Sequence, residues 1–444
     1  MPDDGFVQFN KHIIEYMRGV YVLLLISLLG YTGRVSGQES VTITQCYEWA
    51  RANYPQIHQM GLIDQTERYS LSNVGKAWLP QLSVSGKASY QSDVTKLPLD
   101  GDKISSLLPG FEIPSLSKDQ YQVVAQVDQT IWDGGSTRSA RALTRAEAIA
   151  NREQLESELY ALNDRVNQIY FGCLLQDELI RQNALLQKEL QVNIERIEAM
   201  MENGVANQSD LESMEVELLN ARQNEIELKA SRTVYRQMLA TFINKPLTDQ
   251  VVLKTPESPE RSLSTQINRP ELRALDAKSE WIETQNKQVT AGLMPRIGAF
   301  VQGGYGRPGL NMLEDSFEPY YVAGVRLSWN LGKLYTLKND RRKIEVSRRQ
   351  IDVQRETFLF NTRLQLLQQN TEIQKMTDLM RADDDIIRLR TSIKQAAEVK
   401  LENGVISVTD LIREINAEDM ARQTAAAHRV QRLMTIYNYM YTTN

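Results

Sequence analysis

No proline occurs between Ser115 and Lys245, and none follows Pro319. Glycine is almost as scarce in these tracts. Between Gly135 and Asn203 it occurs only at Gly172, and between Gly332 and Asn403 not at all. These are the residues a helix interior tolerates least, so their absence removes the usual reasons for a helix to stop. Cysteine and histidine are thin as well. Cys46, Cys173, His12, His58 and His428 lie far apart and form no spacing that resembles a zinc, haem or thiol-redox site. The net charge of −5, with both signs interspersed, leaves no basic face for nucleic acid. The densest acidic run, Asp383-Asp384-Asp385, reads as a solvated helix face, so nothing points to an enzyme or a cofactor. After the N-terminal segment no long apolar run remains, so hydrophobic helices are excluded as the means of entering a membrane.

That N-terminal segment is informative. Met17-Arg18-Gly19 precedes the apolar residues 20–29, and Val35-Ser36-Gly37 supplies small residues before Gln38. A basic start, a short apolar core and a small-residue cut site describe a secretory signal peptide over residues 1–37, with Met17 as the start. An N-terminal anchor helix is the alternative, disfavoured because the run is short for a membrane span.

The remainder is written twice. Asn53-Tyr54-Pro55 is followed 25 residues on by Pro80, and Asn268-Arg269-Pro270 is followed 25 residues on by Pro295. Trp132-Asp133-Gly134-Gly135 has its counterpart in Trp329-Asn330-Leu331-Gly332, and ENGVANQSDL at 202–211 returns as ENGVISVTDL at 402–411. This order predicts repeat 1 over 38–265 and repeat 2 over 266–444. The tracts 135–203 and 332–403 each read as one helix, rich in Ala, Leu, Glu, Gln and Arg, with return helices over 207–245 and 407–440. At 1.5 Å per residue each long helix would reach roughly 100 Å, which only a coiled coil or helical barrel can bury along its length. At the turns, glycine ends one helix, and Asn207 or Ser407 can cap the next with Asp210 or Asp410 three residues on.

Between the helices the period changes to two. Residues 82–91 alternate Leu, Val, Gly, Ala, Tyr against Ser, Ser, Lys, Ser, Gln. Tyr121, Val123, Ala125 and Val127 oppose Gln122, Gln126 and Asp128, and similar faces run through 297–305 and 321–329. The hairpins 82–132 and 297–329 thus supply four strands of transmembrane length with aromatic ends. Four strands cannot close a barrel, and an open edge in lipid leaves backbone groups unpaired, so the chain must oligomerise. Two copies would give eight strands and three would give twelve. A periplasmic or cytosolic coiled-coil scaffold without channel activity is the competing reading, favoured by the helices alone.

The opening 41–50 with Asn53-Tyr54-Pro55, the Leu79-Pro80-Gln81-Leu82 strand entry and the paired turns at 204–211 and 404–411 resemble the TolC-like outer-membrane efflux protein family over nearly the whole mature chain. The resemblance implies a mainly α chain with a membrane β part: a homotrimer whose twelve-stranded barrel, set in outer-membrane lipid, continues into a long α-helical barrel across the periplasm. It implies a periplasmic adaptor (membrane fusion) protein and an inner-membrane pump of RND, ABC or MFS type as partners. The chain would be the passive exit duct of a tripartite efflux or type I secretion system, for drugs, metals or polypeptides. It assigns residues 247–265 and the C-terminal tail to an equatorial region. It also places Gly204, Asp210, Gly404, Asp410 and Arg413 at the periplasmic entrance, and Asn203, Val205, Asn403 and Val405 where an adaptor would dock. Leu401, Ile406 and Arg413 stand where the family can carry a tyrosine, an arginine and a second acidic residue, so the particular polar latch of some members is not written here. Arg413 could pair with Asp410 instead.

Overall fold

The computed structural model describes residues 40–95, 116–258, 266–312 and 314–444. The leader at 1–37, most of the first hairpin connection and the end of the 247–265 linker lie outside the described residues. The first half runs β1 (Ser40–Val41), α1 (Ile43–Asn53), α2 (Gln59–Gly75), β2 (Gln81–Tyr90), β3 (Asp119–Trp132), α3 (Ser136–Tyr160), α4 (Leu162–Glu202), α5 (Gln208–Ile243) and β4 (Val252–Leu253). The second runs α6 (Pro270–Ala291), β5 (Arg296–Arg307), β6 (Glu318–Ser328), α7 (Lys333–Glu402) and α8 (Val408–Thr443). The fold is mainly α. α7 has 70 residues and so extends about 105 Å. The helix expected over 135–203 is instead two, parted at Ala161, whose dihedrals nonetheless remain helical. α8 continues to Thr443, so a helix end occupies the place where a separate C-terminal tail was expected.

The four long strands form one antiparallel sheet in the order β2-β3-β5-β6. Its register joins residues of one kind across each face. Leu82 sits opposite Val127, Val127 opposite Val301 and Val301 opposite Ala323, while Ser83, Gln126 and Gln302 line up on the other side. Among the described residues nothing packs on the apolar face, and Leu82, Val84 and Val325 are 71, 69 and 70% exposed. Between Thr130 and Trp132 the register slips by one residue. Such a bulge re-aims the side chains beyond it, and Trp132 now stands opposite Ile297, in line with the apolar face.

The helices keep the order of the sheet. Near the strands they lie α2–α3–α6–α7, and farther away α5–α4–α8–α7. One edge of the molecule is therefore α7 and β6 throughout, and the other is β2, α2 and α5. The main core sits midway, where Val41, Cys46, Val166, Tyr170, Phe171, Leu239 and Ile243 pack beneath the short parallel pair β1–β4. Tyr170 Oη lies 2.8 Å from the Val41 carbonyl and 2.7 Å from that of Lys254, tying the pair to α4. The repeated Asn-x-Pro has the same task in both halves, which is to satisfy the end of the return helix. Asn53 Nδ2 donates to the Ile243 carbonyl at 3.0 Å, and the Asn268 amide donates to that of Thr443 at 2.7 Å.

Cys46 and Cys173 meet in this core, fully buried and free, a juxtaposition their spacing could not suggest. Burial pushes both thiols up to about 12. The solitary Gly172 has a packing reason: a Cβ there would stand 2.5 Å from the Tyr235 ring of α5. Gly172→Ala is expected to lower thermal stability by about 1–2 kcal/mol, because overpacking outweighs alanine's helix propensity. A melting temperature at or above that of the unaltered chain would contradict the contact.

Candidate functional site

The end of the molecule farthest from the sheet is built from the two repeated turns. At the first, Gly204 takes φ 73°, its amide donates to the Met201 carbonyl, and the Val205 amide donates to the Met200 carbonyl, both at 2.9 Å. At the second, Gly404 takes φ 69°, with the same bonds to Leu401 and Lys400, again at 2.9 Å. This is a Schellman stop, and the left-handed residue that it needs is the reason for glycine. Asn203 and Asn403 fold back, each Nδ2 donating to the carbonyl four residues earlier at 2.7 Å.

The next helix then begins with a capping box in both copies. The Asp210 amide donates to Asn207 Oδ1, and the Asn207 amide to Asp210 Oδ2, each at 3.1 Å. The Asp410 amide donates to Ser407 Oγ, and the Ser407 amide to Asp410 Oδ2, each at 3.2 Å. Ser407 Oγ also donates to Asp410 Oδ2 at 2.7 Å. These side-chain and backbone bonds from Ser407 hold the Asp410 carboxyl below the usual carboxylate range, against a small opposing effect of burial. Arg413 lies 3.5 Å from Asp410 and 3.4 Å from Glu414. Val205 and Val405 project into solvent at the outermost point, 56 and 68% exposed.

Next to the turns an apolar seam packs the two hairpins together. Ile194, Ile197, Met214 and Leu218 of the first pack against Leu401, Val408, Leu411 and Ile415 of the second, with Ile406 alongside. Leu401 and Ile406, conspicuous in the sequence as replacements for polar residues, are part of that seam.

About 15 Å behind the turns lies a charge knot that no sequence pattern indicated. Lys394 of α7 bonds Glu189 of α4 and, at 2.6 Å, Glu418 of α8, whose side chain is 3% exposed. Glu418 also accepts from Thr391 Oγ1 at 2.6 Å and from Arg422 Nε at 3.0 Å. Burial would raise the Glu418 carboxyl, but the bonds from Lys394, Thr391 and Arg422 outweigh it and hold it low.

The neighbouring Asp419 lacks a cation of its own. Burial pushes it up to about 6, with Glu189 and Glu418 adding to the rise and Gln423 and Arg422 opposing it. A carboxyl raised on folding stabilises fully below its unfolded value of 3.8 and loses that contribution as pH rises through about 6. Asp419→Asn is therefore expected to raise the melting temperature near pH 7.5 by about 2 °C and to flatten its fall between about pH 4 and 7. An unchanged pH profile would mean that Asp419 is already ionised freely.

Of the Asp383-Asp384-Asp385 run, read as a solvated face, Asp383 is instead buried. It lies 2.7 Å from His428 Nδ1 across the α7–α8 contact, while Asp385 pairs with Arg388 in solvent. Its spacing to His428 carries no helical periodicity, so only the fold reveals the pair.

A four-stranded sheet with an uncovered apolar face, continued by helices of this length in the same order, is the architecture of outer-membrane channel proteins. VceC of Vibrio cholerae shares the fold at 13% identity and TM-score 0.60, over 90% of this chain and 95% of that one. The open-state MtrE outer membrane channel of Neisseria gonorrhoeae does so at 14% identity and 0.62, over 90 and 88%. CusC, described in terms of transmembrane channel formation, does so at 15% identity and 0.63, over 90 and 92%. No curated protein matches the chain by sequence. The model of the outer membrane efflux protein family matches residues 46–245. Over those residues the chain is similar to that family, the one its motifs resemble, and over about nine-tenths of its length it shares the fold of the outer-membrane channels. Among the described residues no helix is long and apolar enough to cross a membrane.

Proposed function

We propose that the chain is the passive exit duct of a tripartite efflux or type I secretion system. Three copies would close a twelve-stranded barrel above a periplasmic helical barrel, fed through an adaptor by an inner-membrane pump. The observation that carries this reading is the sheet. Among the described residues its apolar face is bare, and both edges, β2 and β6, lack a partner. In lipid each unpaired edge group costs several kcal/mol, so β6 of one copy must pair with β2 of the next.

Purified protein reconstituted in planar bilayers is expected to conduct as a trimer, and a soluble, non-conducting monomer would overturn the proposal. Six turns would then surround the inner opening, with Asn203, Val205, Asn403 and Val405 outermost, as an adaptor-docking rim. The geometry favours a holding role for Asp210 and Asp410. Asp210→Ala with Asp410→Ala is expected to speed amide exchange in the first turns of α5 and α8 and to leave cation block unchanged. Altered block with unchanged exchange would place those carboxylates in the pore instead.

A further inference from the structure

At the foot of the sheet, on the side of its apolar face, α3 presents a run of cations without acidic partners. Arg138, Arg141 and Arg145 follow one another at steps of three and four residues, all exposed, and Lys287 of α6 faces them across the same cleft. Among the described residues none of the four makes an ion pair, although farther along α3 Arg152 is held by Asp64 and Glu67, and Glu153 pairs with Arg273. The unpaired cations therefore occupy only the roughly 10 Å of helix nearest the strands. Asp133 also borders the cleft, but its carboxylate accepts from the Gly135 amide at 2.9 Å and the Thr137 amide at 2.6 Å.

Two tryptophans frame this cleft of about 640 Å³: Trp78 and Trp132, 40 and 41% exposed. The β-bulge matters here. Opposed residues of a ladder share a face, and the slip sets Trp132 opposite Ile297, so the cleft opens on the apolar side of the sheet and away from the Ser83–Gln126–Gln302 side. A second cleft, of about 680 Å³, adjoins it, with Ala142, Ala291 and Met294 in its wall. Half-exposed tryptophan beside unpaired Arg and Lys at the end of an apolar band is the chemistry of a membrane–water boundary. The second repeat has it too. Trp329 follows Trp132 by 197 residues, and Lys338 and Arg342 follow Arg141 and Arg145 by the same 197. Both are exposed and without an ion pair.

We propose that this cleft binds the phosphate headgroup of an anionic phospholipid in the periplasmic-side leaflet, with the acyl chains leaving along the adjoining apolar cleft. The inference rests on the outer-membrane barrel reading above. Each cation beside an anionic lipid surface strengthens attachment about fivefold, so four unpaired ones are ample for selectivity.

The test is native mass spectrometry of the full-length protein in detergent, titrated with phosphatidylglycerol and with phosphatidylcholine. Retention of phosphatidylglycerol is expected to be at least about tenfold stronger. The preference should vanish in the combined variant Arg138→Gln, Arg141→Gln, Arg145→Gln, Lys287→Gln. It should survive in Arg138→Lys, Arg141→Lys, Arg145→Lys, which keeps the charge and checks folding. An equal affinity for both lipids, or a preference that persists in the glutamine variant, overturns the proposal. So does displacement of the lipid by millimolar inorganic phosphate, which would make the cleft a free-anion site. Bilayer conductance of the same preparation separates the two readings. Conduction without lipid preference removes only the lipid site, and lipid preference without conduction removes only the duct.

Discussion

Lys394→Met is expected to loosen the turn end of the molecule by about 3 kcal/mol, the order seen when one partner of a buried ion pair is removed. The substitution keeps the length and apolar stem of the side chain but strips the charge that Glu418 and Glu189 share. Glu418 is 3% exposed and would be left with Arg422 and Thr391 alone, a buried carboxylate with too little to offset its lost hydration. Because Lys394 joins α4 of the first repeat to α7 and α8 of the second, the effect should be local. Amide exchange should accelerate around residues 186–220 and 390–420 and remain unchanged in the core around Tyr170. Adding Glu418→Gln should recover more than half of the loss, since the remaining cost is that of an unpaired charge. A single variant as protected as the unaltered chain, or a double variant worse than the single, would show that the knot does not hold the hairpins.

The parts of this molecule that were legible in sequence are those set by local rules. A capping box needs partners three residues apart, and a Schellman stop needs one glycine, so both turns could be read from ENGVANQSDL and ENGVISVTDL alone. The strands were legible because alternation has period two, and burial follows it along β3. Contacts at long separation were not legible. Glu189 and Lys394 are 205 residues apart, and no periodicity on either helix selects one for the other. The same holds for Cys46 with Cys173 and for Asp383 with His428. The bulge before Trp132 was hidden for a different reason. Alternation continues smoothly through Thr130 and Ile131, and the slip becomes visible only in the register with β5. The break at Ala161 also lies in a tract without helix-breaking residues, where nothing local marks it.

The unpartnered edges lead to the second large effect. On α7, Ile386, Leu389 and Ile393 recur at steps of three and four, 47, 52 and 47% exposed, and no element among the described residues covers them. On the opposite edge, Leu219 and Ile226 of α5 are 60 and 70% exposed. The distances from the turns agree. Ile393 and Ile386 lie 11 and 18 residues before Gly404, while Leu219 and Ile226 lie 12 and 19 residues after Asn207. If three copies close a ring, α7 of one copy meets α5 of the next, and these side chains come level in a coiled-coil seam. Completing the burial of such half-exposed groups contributes about 1 kcal/mol each, so roughly 4 kcal/mol per contact rests on the four. Ile386→Glu with Ile393→Glu should forfeit that and place two carboxylates in each seam, leaving monomers in detergent and no conductance. Leu219→Lys with Ile226→Lys in the same chain should restore trimers, because every contact then sets glutamate against lysine. Trimers that persist in the glutamate variant would move the contact elsewhere on α7. Monomers that persist in the four-fold variant would show that the two stripes do not face each other.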